Sequence, residues 1–152
     1  MTGTWILLGA LALAGVLAVW HRRVNGRFRP TAEAERPEEK AVEPVLDEVT
    51  WQSLGAEPGE RATLLQFSSA FCAPCRATRV TLGDVASRVP GVAHVEVDAE
   101  KHLDLVRRLN ILRTPTTLVL DADGAEATRA SGAPTRDQVL GALSQMSDTR
   151  SA

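Results

Sequence analysis

The chain has 152 residues, which is room for one domain of ordinary size and a short additional segment, so a second full domain would not fit. With 44% hydrophobic and 24% charged residues the composition is globular, and a net charge of −2 argues against a nucleic-acid partner. The charge is unevenly distributed, because residues 1–20 have no charged side chain and residues 21–29 contain four arginines. A basic segment beside an apolar one is typical of membrane proteins.

The apolar run extends from Thr4 to Trp20 without a charge or a proline. As a helix it would be about 26 Å long, slightly short of a hydrocarbon core of about 30 Å, a difference that flanking side chains can bridge. Trp5 and Trp20 bracket the run, as interfacial aromatic residues do, and arginines follow it. We therefore predict a transmembrane helix over residues 4–20.

A cleaved secretory signal is the alternative interpretation of this run. A signal has its basic residues before the apolar core and small residues at the cleavage site, whereas here the arginines follow and Trp20 ends the core. The positive-inside rule places segment 21–29 in the cytoplasm, so we expect a single-pass protein of the cell membrane with a cytoplasmic folded domain. The spacing of Ala10, Ala14 and Ala18 also allows association with another transmembrane helix.

The folded domain is predicted to span residues 45–146. Before it, residues 21–44 combine the basic juxtamembrane segment with a linker, Pro30 to Pro44, that has three prolines, five glutamates and no apolar periodicity. Residues 147–152 are predicted to form a flexible tail.

Within this domain, strand and helix patterns alternate. Apolar runs predict strands at Ala62–Ser69, Val92–Asp98, Thr116–Asp121 and Glu126–Ser131. Helical spacing follows the cysteines up to Pro90, recurs around Leu103–Leu109, and begins again at a capping box formed by Thr135 to Gln138. The order predicts a compact α/β domain whose central sheet has helices on both faces.

Both cysteines lie in the stretch FCAPC, between a predicted strand and a predicted helix. They would supply only two of the four ligands of a structural zinc site, and His21, His94 and His102 show no paired spacing. We therefore predict no metal and no cofactor. A metal shared between two chains and a pair of inert buried thiols remain as alternatives to a working dithiol.

A dithiol needs one exposed, ionisable sulfur and a second, sheltered sulfur within bonding distance. At a helix start, Cys72 would face unsatisfied backbone N–H groups and the positive end of the helix dipole, which favour its thiolate. Pro74 suits the first turn, and Arg76 adds a positive charge beside the thiolate. We predict that Cys72 is the nucleophile and Cys75 the resolving thiol.

The strand QFSS leading into FCAPC, followed further along by RTPTTLVLDADG, resembles the thioredoxin family over roughly residues 45–146. The resemblance implies a thioredoxin-like fold and a thiol–disulfide oxidoreductase of cell redox homeostasis. Its partners would be protein disulfide substrates and an external dithiol reductant. The alternatives are a thioredoxin-like adaptor module at the membrane and an outward-facing oxidoreductase of cytochrome c maturation.

The resemblance also assigns a substrate-facing surface. It implies that Pro115 is cis and that, with Thr114, it forms a wall opposite the cysteines. The predicted substrate-binding residues are Phe71, Ala73, Pro74, Thr114 and Pro115.

The chain departs from the family pattern behind the cysteines. Phe71 and Ala73 stand where the family commonly has tryptophan and glycine, and Gln66 stands where it commonly has a buried aspartate. An amide cannot take up a proton as a carboxylate can. His94, where the family often has a lysine, is therefore a candidate general base; the alternative is a strand histidine without a role.

Overall fold

The computed structural model describes residues 2–24, 26–30 and 44–149. They form five helices and five strands. The helices are α1 (Thr2–Val24), α2 (Glu48–Leu54), α3 (Ala73–Arg88), α4 (Leu103–Arg108) and α5 (Arg136–Thr149). The strands are β1 (Phe28–Pro30), β2 (Ala62–Ser68), β3 (Val92–Asp98), β4 (Thr116–Asp121) and β5 (Glu126–Ser131).

The strands form one mixed sheet in the order β1-β5-β4-β2-β3, in which only β2 and β3 are parallel. Alternate residues of the interior strand β2 enter two separate cores. Leu65 and Phe67 pack with residues of α2 and α4, such as Trp51. On the other face Leu64 packs with residues of α3 and α5, such as Leu82. The predicted sheet with helices on both faces is confirmed.

The predicted strands agree closely with the observed ones. The bounds of β3, β4 and β5 coincide with the prediction, and β2 ends one residue earlier, at Ser68. The capping box before α5 is also present, since the Thr135 N–H donates to Gln138 Oε1 (2.8 Å) and the Gln138 N–H donates to Thr135 Oγ1 (3.3 Å). The helix continues to Thr149, three residues beyond the predicted domain end.

Two elements were not predicted. Helix α2 begins after Asp47, whose carboxylate accepts the Thr50 N–H and so caps the helix. Strand β1 pairs antiparallel with β5 and lies at the edge of the sheet, within the segment that we interpreted as a juxtamembrane region and linker. The rest of the linker, 31–43, and the last residues of the tail, 150–152, lie outside the described residues.

Helix α1 contains the predicted transmembrane run. Every side chain described in it, from Ile6 to Trp20, is exposed. Among the helices formed by the described residues, none has the length and apolar character required to cross a bilayer.

Candidate active site

The two cysteines lie at the start of α3, shortly after the buried strand β2 ends at Ser68. Cys72 is the residue that caps the helix, and its Sγ accepts the backbone N–H of Cys75 at 3.1 Å. Pro74 occupies the first turn, where its missing N–H removes no helical hydrogen bond. The sulfurs form a disulfide (S–S 2.02 Å), with Cys72 partly exposed and Cys75 buried. An accessible sulfur thus lies in front of a sheltered one.

The other residues around Cys72 are exposed. Phe71 is 99% exposed, and Ala73 and Pro74 also face solvent, so a substrate can reach this surface. Arg76 is exposed and donates its backbone N–H to the Cys72 carbonyl oxygen at 3.3 Å. The contribution of its guanidinium to the thiolate stays a prediction.

The second predicted segment, Thr114 and Pro115, is joined to the loop before Cys72. Their peptide bond is cis, as the resemblance implied. The hydroxyl oxygens of Ser69 and Thr114 are hydrogen-bonded at 3.1 Å, across 45 positions of sequence. On its other side, the Pro115 carbonyl accepts the N–H of Gly132 at 2.7 Å. The fold therefore brings the predicted wall and the dithiol to the same place.

Gln66 lies directly behind the resolving cysteine and is fully buried. Its Nε2 donates to the Cys75 carbonyl oxygen (3.0 Å) and to Ser68 Oγ (2.7 Å), and its Oε1 is 3.1 Å from His94 Nε2. A carbonyl oxygen can only accept, so the amide nitrogen must face Cys75 and the amide oxygen must face His94. His94 Nε2 therefore has a proton and donates it to Gln66.

The network continues to the protein surface through Ser68. Its hydroxyl helps to lower the pKa of Glu96, and Glu96 forms an ion pair with Arg79 (Nε–Oε2 2.5 Å). Burial would raise the pKa of Glu96, but the hydrogen bonds from Arg79 and Ser68 outweigh this effect and hold the pKa below its ordinary value. Because Glu96 is ionised and can only accept, Ser68 donates to it and accepts from Gln66. Each hydrogen bond of Gln66 thus has a defined direction.

His94 is partly buried, and this burial lowers the pKa of its imidazole, an effect that the nearby Glu96 opposes. It is therefore neutral around neutral pH, as a base must be before it accepts a proton. Its Nε2, however, is occupied by Gln66, which separates the ring from the backbone of Cys75. The role of His94 as general base stays a prediction.

Sequence reasoning identified Gln66 and His94 but missed Ser68, Glu96 and Arg79. They follow from the pairing of β2 with β3, which places Gln66 opposite Glu96 and which no local sequence signal specifies. Among the described residues, no group of three or more histidine, cysteine, aspartate or glutamate side chains is arranged to hold a metal.

A partly exposed sulfur that caps a helix, a buried partner bonded to it and a cis-proline wall define a thiol–disulfide oxidoreductase of the thioredoxin-like fold. The thioredoxin family model matches residues 43–145. The chain belongs to the thioredoxin family.

Individual relatives agree with this assignment. An H-type thioredoxin from Oryza sativa subsp. indica is 29% identical over 87 residues, which cover 57% of this chain and 70% of the relative. Putative thioredoxin H10 from Arabidopsis thaliana is 29% identical over 113 residues, which cover 74% of this chain and 65% of the relative. The crystal structure of thioredoxin f from spinach chloroplast (short form) covers 71% of this chain and 98% of its own, with a TM-score of 0.54 and 21% identity, which supports the fold alone.

Proposed function

We propose that this chain is a membrane-attached protein disulfide reductase of the cytoplasmic side. The observation that carries the reductase assignment is the asymmetry of the two sulfurs. Cys72 is partly exposed at the start of α3, where backbone N–H groups favour a thiolate, and Cys75 is 2% exposed behind it.

In the reduced chain, the Cys72 thiolate attacks one sulfur of a substrate disulfide. The substrate S–S bond breaks, the other substrate sulfur leaves as a thiolate, and a mixed disulfide with Cys72 forms. Cys75 then loses its proton and attacks the Cys72 sulfur, which releases the second substrate thiolate and forms the Cys72–Cys75 disulfide found in the structure. Two electrons pass to the substrate, and an external dithiol donor must return them.

Two groups could accept the thiol proton of Cys75 when this residue attacks the mixed disulfide, namely water and His94. Gln66 is not one of them, because both its amide hydrogens are already donated and an amide does not titrate near neutral pH. Because Nε2 of the neutral ring already donates its proton to Gln66, His94 can accept a proton only at Nδ1. We therefore assign it as a base that receives the proton through water rather than by direct contact with Cys75.

Attachment to a membrane through residues 4–20 is the finer part of the proposal. Exposed apolar side chains support it, since Ile6, Leu11 and Val16 are all more than 60% exposed on a helix that buries none of its described side chains. Exposing these apolar side chains to water costs free energy, whereas exposing them to lipid does not. The arginines that follow the helix favour the cytoplasmic side.

The reductase assignment is tested with the full chain in detergent and insulin as the disulfide substrate. We expect reduction in the presence of a dithiol donor, no reduction by Cys72→Ser, and accumulation of a covalent mixed disulfide by Cys75→Ser. Reduction by Cys72→Ser at the normal rate would refute the roles. A chain that binds partners but reduces nothing would support the adaptor alternative.

The membrane side is tested on intact cells with a thiol reagent that cannot cross the membrane. After reduction, a cytoplasmic Cys72 should react only when the membrane is permeabilised. Labelling of intact cells would instead support the outward-facing alternative, and recovery of the chain in the soluble fraction would refute attachment.

A further inference from the structure

We infer that the dithiol acts on disulfides located at the surface of the membrane that holds α1, because the chain that follows α1 enters the sheet at the end where the dithiol lies. This inference rests on the proposed function and adds to it a substrate class. The substrate would be a disulfide in a membrane-bound protein, close to the lipid surface.

Strand directions establish the first step. β2 runs toward the dithiol, so its last residue, Ser68, marks the active-site end of the sheet. β4 is antiparallel to β2 and begins at that end, directly after Pro115, and β5 is antiparallel to β4 and finishes there. β1 is antiparallel to β5, with Phe28 opposite Ala130, and therefore begins at the active-site end. The chain enters the domain beside the dithiol.

Hydrogen bonds connect the entry point to the substrate-facing wall. The Gly26 N–H donates to the Ser131 carbonyl at 3.0 Å, and the guanidinium of Arg113 donates to the same oxygen at 2.6 Å. The next residue, Gly132, donates its N–H to the Pro115 carbonyl. A short path of backbone contacts thus joins the segment after α1 to the cis-proline.

The entry point is packed closely against the domain. Gly26 has a φ of 74°, and a Cβ on it would lie 2.2 Å from the Ala133 carbonyl oxygen, so the backbone leaves no space for a side chain there. Phe28 packs against the core formed by β2, α3 and α5. The segment is therefore held by the fold and is not a free linker at this point.

The lengths of the intervening segments limit the distance between the dithiol and the end of α1. Helix α1 ends at Val24, and two residues of extended chain span at most about 7 Å. β1 and β2 are separated by three strand spacings of about 4.8 Å, or about 14 Å across the sheet. If α1 is embedded in lipid, the dithiol lies within about 20 Å of the end of that helix and reaches disulfides close to the surface.

Two large apolar side chains are exposed at this end of the sheet. Phe71, next to Cys72, is 99% exposed, and Leu112, two residues before Thr114, is 84% exposed. Apolar side chains of this kind are compatible with the membrane interface and with the apolar segments of membrane proteins.

The experiment uses the full chain in phosphatidylcholine vesicles, with a disulfide peptide attached to a lipid by one of two spacers. One spacer holds the disulfide at the surface, and the other is a long, rigid helix that holds it about 50 Å away, at about 1.5 Å per residue. We expect single-turnover reduction of the surface disulfide to be on the order of tenfold faster. The control variant has twenty glycine and serine residues inserted between Val24 and Gly26, which should abolish the preference but leave reduction of a free peptide unchanged.

The outcomes separate the two proposals. Equal rates for the two anchored peptides, with normal reduction of the free peptide, would overturn the inference and leave the reductase function intact. A preference that survives the insertion would also overturn it, because the distance set by the docked segment would then be irrelevant. A chain that reduces no disulfide, or that does not remain on the vesicles, would refute the proposed function and the inference together.

Discussion

Replacing Gln66 with leucine should destabilise the folded chain substantially, although leucine has a similar volume. The substitution removes three hydrogen bonds, to the Cys75 carbonyl, to Ser68 and from His94, at a position that is fully buried. Three bonds at about 1 kcal/mol each, less about 1 kcal/mol gained by burying apolar surface, give a loss of about 2 kcal/mol in the free energy of unfolding.

A matched control is available on the neighbouring strand. Thr117 lies opposite Gln66 in β4 and is also fully buried, but its hydroxyl has no hydrogen-bond partner among the described residues. Thr117→Val removes no bond and eliminates a buried unpaired oxygen, so its unfolding free energy should equal or exceed that of the unsubstituted chain, within about 1 kcal/mol.

Both variants are measured by guanidinium chloride unfolding of the oxidised full chain in a non-ionic detergent, followed by near-ultraviolet circular dichroism. The difference between the two variants is the decisive quantity. If Gln66→Leu costs no more than Thr117→Val, the polar network does not stabilise the fold, and our interpretation of Gln66 is wrong.

Two further predictions concern pH and packing. Because burial lowers the pKa of His94 below the ordinary value of 6.5, the unfolded chain binds a proton that the folded chain rejects. The contribution of a neutral His94 to the free energy of unfolding is therefore complete above pH 6.5 and is lost as the pH falls through the folded pKa. In unfolding experiments between pH 7.5 and 5, the free energy of unfolding of His94→Gln should fall less than that of the unsubstituted chain. An equal fall in the two proteins would contradict this. Leu64→Ala, at a position with 0% exposure, should lower the free energy of unfolding by about 2–5 kcal/mol in thermal unfolding. Leu112→Ala, at a position that is 84% exposed, should change it by only about 0.5 kcal/mol. Similar effects of the two substitutions would contradict the assigned core.

The parts of the fold that could be predicted from the sequence are those determined by local patterns. β3 and β4 are apolar runs bounded by turn residues, and their predicted bounds match the structure. The predicted position of Cys72 and Cys75 also depends on a local feature, the start of a helix, and α3 begins there. Their roles as nucleophile and resolving thiol stay predictions.

The remaining features depend on contacts between distant segments. β1 has three residues and no alternation, and it is a strand only because β5 pairs with it. Ser68, Glu96 and Arg79 were missed for a similar reason, since the register of β2 against β3 places Glu96 opposite Gln66 and the sequence does not specify that register.

β1 also changes what the sheet presents to other molecules. Without it, the six residues of β5 would form an open edge whose unpaired backbone groups could bind a strand of a neighbouring chain. β1 replaces that edge with a shorter one that ends at Pro30, a residue without an N–H to donate. When two copies of the chain meet, a short edge of this kind offers little backbone for pairing, which limits edge-to-edge aggregation.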